Sequence, residues 1–464
     1  MKKIINCLLV LLALCSLTAC TVVEQKTKEE KTKTVEPTVT EPEVTEMPPV
    51  LEGDYELPDI SGKSLVDAIV ATGGKINLVP VYVKTNQYLP DVVIGYGSQL
   101  KAGDKIAEGS NIGIEIAARP DNAVSYDKRI DYVSEICKIT GPKSHNDEVL
   151  KEAGVQGTDL GIPVKVGDKM ILLFGDTFSV ASPTGPGWKS NFITTVDDTV
   201  YWDNLTVTPL VNDFNGAVLP FYEGKHQGGN ETDNTVEVTK IPTGGITIGD
   251  TVYVFYMSIR FWGVAGSWNV NYNGVVKSNV NDLHNWTEVP ELTWTEAEAP
   301  NFGQIYPFED PNSDYIYVYG IPGGRSGGCV VGRTTKENFT NKAEYEYLVA
   351  EEKWVKGAKG LEALLKNPYY AVGPAVSEMS VAYNEYLGKY IMPFYRNGKI
   401  IIAQSEKPYG TFTDTITVLT QQDYNGIYGG FIHPEFITDG GKSIYMTISC
   451  WETYNVYWVK VVLK

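Results

Sequence analysis

The sequence holds few of the residues that build metal centres or redox frameworks. Its 464 residues include 6 cysteines and 4 histidines, none in Cys-x-x-Cys or His-x-x-x-His spacing, so no structural zinc is expected. No dinucleotide-binding loop, P-loop or metalloprotease motif occurs. No cofactor is expected, and a structural calcium ion at the centre of the fold is left open. Positive charge is also scarce: 39 Lys and Arg stand against 57 Asp and Glu, a formal net charge of −18. That balance excludes nucleic-acid binding by phosphate neutralisation and disfavours anionic membrane surfaces, leaving neutral polymers open. Beyond residue 17 no apolar run approaches the roughly 20 residues that a membrane span requires.

What is present starts with Met1-Lys2-Lys3 and an apolar run from Ile4 to Leu17, the shape of an export signal. The run ends in Leu17-Thr18-Ala19-Cys20, which resembles the lipobox cleaved before a lipidated cysteine. Residues 1–19 are therefore expected to be removed and Cys20 to carry lipid. The chain is then expected on the outer face of the cytoplasmic membrane, held by that lipid anchor alone. Loss of Lys2 and Lys3 would take the net charge from −18 to −20. Cys137, Cys329 and Cys450 then remain, an odd number that reads as small apolar core residues. Residues 20–54 read as a stalk whose Lys, Glu, Thr and Pro content keeps it extended.

Residues 55–118 read as a small α+β module. Ser61 is the expected N-cap of a helix carrying Leu65, Ala68 and Ile69 on one face, and strand-like runs follow at Ile76–Val83, Val92–Tyr96 and Asn111–Ile116. The opening Leu57-Pro58-Asp59-Ile60-Ser61-Gly62 and the late Lys101-Ala102-Gly103-Asp104-Lys105-Ile106-Ala107-Glu108-Gly109-Ser110 resemble a PASTA domain. The resemblance implies peptidoglycan as a partner; a single copy would also serve as a spacer.

Residues 121–464 carry an internal repeat. Five apolar runs each follow a turn: Met170–Asp176, Val252–Ser258, Tyr315–Ile321, Tyr390–Arg396 and Ile444–Cys450, at intervals of 54 to 82 residues. Earlier and later runs flank most of them. Units of three or four antiparallel strands cannot each bury a core alone, and packed radially they make a β-propeller. The expected fold class is mainly β, a five-bladed β-propeller over 121–464. Residues 121–153 are expected to supply a lead-in or closing strand. The 29 Tyr, 9 Trp and 45 Gly suit such a fold and also suit sugar-binding clefts.

In a propeller the innermost strands converge on a central channel. Counting back 11 residues from the start of each run gives Asp159, Ile241, Gln304, Met379 and His433, with Glu378 beside Met379. Paired carboxylates in one cleft are the minimum apparatus for glycosidic bond hydrolysis. Asp159 and Glu378 are the expected pair, Asp159 as base or nucleophile and Glu378 as acid, with Asp176 tuning one of them by like charge. A turn role for Asp159 and a strand-ending cap for Asp176 are the alternatives. Arg325 among glycines, His433, Gln304, Trp188, Trp262 and Trp268 are candidate substrate contacts, each also open to a packing or turn role.

Four segments together resemble the domain of unknown function 4185 family: Gly157-Thr158-Asp159-Leu160-Gly161, Phe174-Gly175-Asp176-Thr177, Tyr317 to Pro322 with Arg325, and Ser377-Glu378-Met379-Ser380-Val381. The resemblance spans about residues 150 to 462 and implies a five-bladed propeller and an endo-D-arabinanase-like glycoside hydrolase acting on a furanose polysaccharide. It carries the acidic role onto Asp159, Asp176 and Glu378. The segment from Asp197 to Asp233 has no counterpart in it. A non-catalytic propeller gripping cell-wall glycan is the competing reading. A sialidase-like enzyme fits less well, since its repeated Asp boxes and arginine triad are missing.

Overall fold

The computed structural model describes residues 52–97, 99–210 and 212–464. Cys20, the export signal and the stalk up to residue 51 lie outside the described residues. No helix among the described residues is long and apolar enough to cross a membrane.

The small module is a three-stranded sheet with one helix. The strand Asn111–Ala118 is central, parallel to Asn77–Lys84 and antiparallel to Val93–Tyr96. The helix Leu65–Ala71 begins at Ser64, whose hydroxyl oxygen accepts from Asp67 N and donates to Asp67 Oδ2 at 2.7 Å. Ser61 is thus not the cap. It sits in a turn with Asp59, closed by Gly62 at φ 74°, and the chain must reverse there before a helix can start. Ile69 is exposed, and the module's core is Ile60, Ala68, Val93, Ile114 and Ile116, with a second cluster around Ile112.

Five antiparallel sheets follow, and the five apolar runs of the sequence are the second strand of each. Sheet one is Leu160–Val166, Lys169–Phe174, Phe192–Val196 and Val207–Pro209. Sheet two begins with Thr239–Ile248, Thr251–Trp262 and Trp268–Asn279, and sheet three with Gln304–Glu309, Tyr315–Ile321 and Val330–Thr335. Sheet four is Ala382–Asn384, Lys389–Arg396, Lys399–Ser405 and Asp414–Thr420. The first hairpins of sheets one and two turn on Gly167 and Gly249, both at φ 57°, a left-handed conformation that costs a glycine nothing.

Sheet five runs Ile427–Phe431, Ser443–Cys450, Asn455–Leu463 and then Ile130–Lys138. Its outer strand therefore comes from the start of the body, as a closing strand should, antiparallel to Asn455–Leu463. The module meets that outer strand where Ser134 Oγ donates to Asn86 Oδ1 at 2.7 Å, and the segment before the strand caps its edge, Asn122 Nδ2 donating to Glu135 O at 2.8 Å and Val124 bridging Val133.

The first strands of the sheets pack against their neighbouring sheets. Thr239–Ile248 touches both Leu160–Val166 and Gln304–Glu309, while Ile427–Phe431 touches both Lys389–Arg396 and Leu160–Val166. Side chains from all five sheets (Ile162, Ile241, Tyr306, Met379 and Phe431) merge into one buried cluster. Emptying one such position to Ala typically costs about 2–5 kcal/mol. This apolar plug forms the floor of the cavity described next.

Candidate active site

A cavity of about 730 Å³ opens above that floor, and Asp159, Asp176, Glu378, Arg325, Gln304, Trp262 and Trp268 all line it. Residues more than 200 positions apart are brought together because each sits where a chain segment enters or leaves one of the first three strands of its sheet.

Asp159 is aimed by a kink in sheet one. Leu160 and Gly161 both take positive φ (70° and 72°), and the ladder to Lys169–Phe174 slips between Leu160 and Ile162. Such a bulge re-aims a side chain, and left-handed leucine persists only where its surroundings hold it. Here sheet five holds it: Leu160 N donates to Ser449 Oγ at 2.8 Å, and Thr447 Oγ1 donates to Gly161 O at 2.8 Å. Gly175 leaves the space, since a Cβ there would lie 2.4 Å from Asp159 Oδ1. Tyr428 OH donates to Asp159 Oδ2 at 2.8 Å, while Oδ1 is buried without a hydrogen-bond partner. Burial pushes the Asp159 carboxyl up to about 7; the Tyr428 hydrogen bond opposes this, and the charges of Asp176 and Glu378 reinforce it.

Asp176 leaves the second strand of the same sheet. Its Oδ1 accepts from Thr239 Oγ1 at 2.6 Å and from Trp188 Nε1 at 2.8 Å. Burial raises it to about 6 despite those two donors. Behind Trp188 stands His226, ring centroids 4.1 Å apart and nearly perpendicular, with His226 Nε2 2.6 Å from Glu223 Oε1. Both His226 and Glu223 belong to the segment between Asp197 and Asp233, which therefore braces Asp176.

The opposite wall is different. Arg325 Nη2 and Nε donate to Glu378 Oε1 and Oε2 at 2.7 and 3.0 Å, a two-pronged ion pair. The Arg325 guanidinium lies 4.5 Å from the Tyr428 ring centroid and 5.4 Å from that of Trp268. Gln304 does not face a ligand with its amide nitrogen. Nε2 donates to Pro322 O and Gly324 O, both at 2.9 Å, and so fixes the glycine-rich loop that carries Arg325.

Two expected contacts lie elsewhere. His433 does not line the cavity: its Nδ1 accepts from Glu435 N and caps the short helix Pro434–Phe436, and burial lowers it to about 4. Sheet five reaches the cavity through Ile427–Phe431 instead, because left-handed Gly429 and Gly430 and the short helix interrupt its first hairpin. Trp188 is a strut behind Asp176 rather than part of the cavity wall. Sequence reasoning missed Tyr428, Tyr454 and Trp451, all in the lining. The double glycine after Tyr428 and the turn from Trp451 to Tyr454 were the available signals. Among the described residues no group of three or more His, Cys, Asp or Glu is placed to hold a metal.

A mainly β body of five sheets around a carboxyl-lined cavity is the class this geometry defines. Residues 143–460 match the family described as Domain of unknown function (DUF4185), and the chain belongs to that family. It is similar to Notoamide biosynthesis cluster protein J of Aspergillus sp. (strain MF297-2), 24% identical over 317 residues, covering 64% of this chain and 80% of that protein. In fold it is similar to a crystal structure from Bacteroides ovatus ATCC 8483, 15% identical with a TM-score of 0.50, covering 73% of this chain and 93% of that one. The native Bacillus subtilis arabinanase Arb43A also aligns, 11% identical with a TM-score of 0.40, over 66% of this chain and 95% of that one.

Proposed function

We propose that this chain is a glycoside hydrolase that cuts an arabinan-like furanose polysaccharide internally. The observation that carries the reading is the pair Asp159 and Asp176, a half-buried and a buried carboxyl on one sheet facing one cavity, raised to about 7 and about 6. Both values lie near neutral, so one carboxyl can carry a proton while the other is ionised, and Asp159, the more strongly raised, is assigned the proton in this reading. Asp159 then protonates the leaving glycosidic oxygen, and Asp176 attacks the anomeric carbon or takes a proton from water. These roles differ from the sequence expectation, which made Glu378 the acid. Glu378 is held by Arg325 through both oxygens, and in this reading the pair fixes the loop that carries Arg325. A carboxyl separation of about 5 Å would give retention and about 6.5–9.5 Å inversion. What supports a furanose polymer is the resemblance of the four sequence segments.

In the same reading the five sheets are blades of a five-bladed propeller, the module is of the PASTA type and meets peptidoglycan, and Cys20 carries the lipid that holds the protein outside the cytoplasmic membrane. The experiment is reducing-end release from a panel of arabinans by the full chain. Release by wild type and none by Asp159→Asn supports the reading; equal inertness of both on every furanose polymer ends it. The second reading, a non-catalytic glycan-binding protein, is favoured by exposed tryptophans at the cavity mouth, and retention on purified cell wall without sugar release would select it.

A further inference from the structure

The cavity mouth carries two tryptophans that stand in solvent, Trp262 at 41% and Trp451 at 54% exposure. Trp262 ends the second strand of sheet two, and Trp451 heads the turn after the second strand of sheet five. Sheets two and five both pack against sheet one through their first strands. The two rings therefore flank the sheet that bears Asp159 and Asp176.

Both rings are fixed rather than loose. Trp262 stands edge-on against Trp268, centroids 5.7 Å apart, and Trp451 against Tyr454, 5.8 Å apart. The two supporting aromatics are buried, at 7% and 3% exposure. Trp451 N donates to Gly426 O at 2.9 Å, and Gly426, at φ 72°, leaves no room for a Cβ, which would come 2.9 Å from Trp451 Cβ. Large exposed apolar rings on a rigid mount mark a contact surface. A flat indole face takes the C–H face of a sugar ring, so the surface fits a glycan.

Charge narrows the class of glycan. Among the described residues, the carboxyl and cationic side chains of the lining are Asp159, Asp176 and Glu378 against Arg325 alone, and both prongs of Arg325 are engaged by Glu378. Among the described residues no further cation lines the cavity to receive a carboxylate, sulfate or phosphate, and the chain as a whole is strongly acidic. Like charges facing each other across such a surface act against binding.

We propose that Trp262 and Trp451 are paired stacking platforms, one on each side of the carboxyls, for a single uncharged polysaccharide chain that lies across sheet one and is taken at an internal position. This rests on the hydrolase reading and adds the two residues that hold the uncharged chain.

The test is binding of a neutral arabinan and of a uronate-bearing polymer to the full chain carrying Asp159→Asn, alone and with Trp262→Ala or Trp451→Ala. Thermal melts confirm that each variant is folded. Each tryptophan change is expected to weaken neutral-polymer binding on the order of tenfold, and the uronate polymer to remain unbound. In the chain with Asp159 intact, the same changes reduce the share of internal cuts. Unchanged binding in both tryptophan variants, or uronate binding equal to neutral binding, overturns the inference while cleavage by wild type leaves the hydrolase reading standing. If wild type neither binds nor cuts any neutral polymer, the hydrolase reading fails and this inference with it.

Discussion

The two walls of the cavity handle buried carboxyls in opposite ways. On the wall built by sheets one and five, half-buried Asp159 and buried Asp176 have hydroxyl and indole donors but no cation in contact, and both are raised. On the wall built by sheets three and four, Glu378 meets a guanidinium through two hydrogen bonds. Neutral donors only soften the desolvation of a carboxylate, whereas a bidentate cation offsets it. In the proposed reading the general acid therefore belongs on the first wall, and the second holds the Arg325 loop in place.

That contrast can be broken most forcefully at Asp159. Asp159→Asn is expected to lower glycan release by about a thousandfold or more while the fold persists, read as rate against melting temperature. On the other wall, Glu378→Ala should act on the fold first. It strands Arg325, which is largely buried, at a cost of roughly 3–5 kcal/mol in denaturant unfolding. Replacing Arg325 and Glu378 together by apolar residues should recover much of that loss.

The sign of the pH dependence separates the walls again. An unfolded aspartate titrates near about 4, below the value of about 7 for Asp159 in the fold. Between the two the native state binds the extra proton, so stability falls as pH rises through this window and is level above it. Asp159→Asn removes that slope and should be more stable than wild type at pH 8, by up to roughly 4 kcal/mol at about 1.4 kcal/mol per pKa unit. A chemical-denaturation series across pH reads this directly.

Smaller effects sharpen the picture. Gly175→Ala places a Cβ against Asp159 Oδ1 and should cost activity about tenfold to a hundredfold through misplacement alone. Trp188→Phe removes a donor from Asp176 Oδ1. It should move the acidic limb of the pH–rate profile upward, because that hydrogen bond lowers the carboxyl.

Much of the fold was legible in the sequence because its signals are local. Gly167-Asp168 and Gly249-Asp250 announce hairpins, and the apolar runs after them are the second strands of the sheets. Asp159 was legible for the same reason, since Gly157 and Gly161 flag a sharp kink at a strand start. What failed was arithmetic across hairpins. Counting back a constant 11 residues reached the cavity lining in the first four sheets but gave His433 in the fifth, where the short helix Pro434–Phe436 and left-handed Gly429 and Gly430 lengthen the path. The Arg325–Glu378 pair was also out of reach, because nothing in a linear pattern couples a loop of sheet three to the start of sheet four. Tyr428 reaches the cavity through the break at Gly429 and Gly430, and Trp451 through the turn that it heads, neither of which a period-two pattern encodes.

The division of labour between the walls can be measured without any substrate. Infrared titration of the carboxyl C=O band in wild type and in Asp159→Asn follows the proton itself. A carboxyl that stays protonated to about pH 7 in wild type and is missing from Asp159→Asn is the expected result. If every carboxyl has ionised by about pH 5, or if the late-titrating signal survives in Asp159→Asn and disappears in Glu378→Gln, Asp159 is not the acid and the roles of the two walls are reversed.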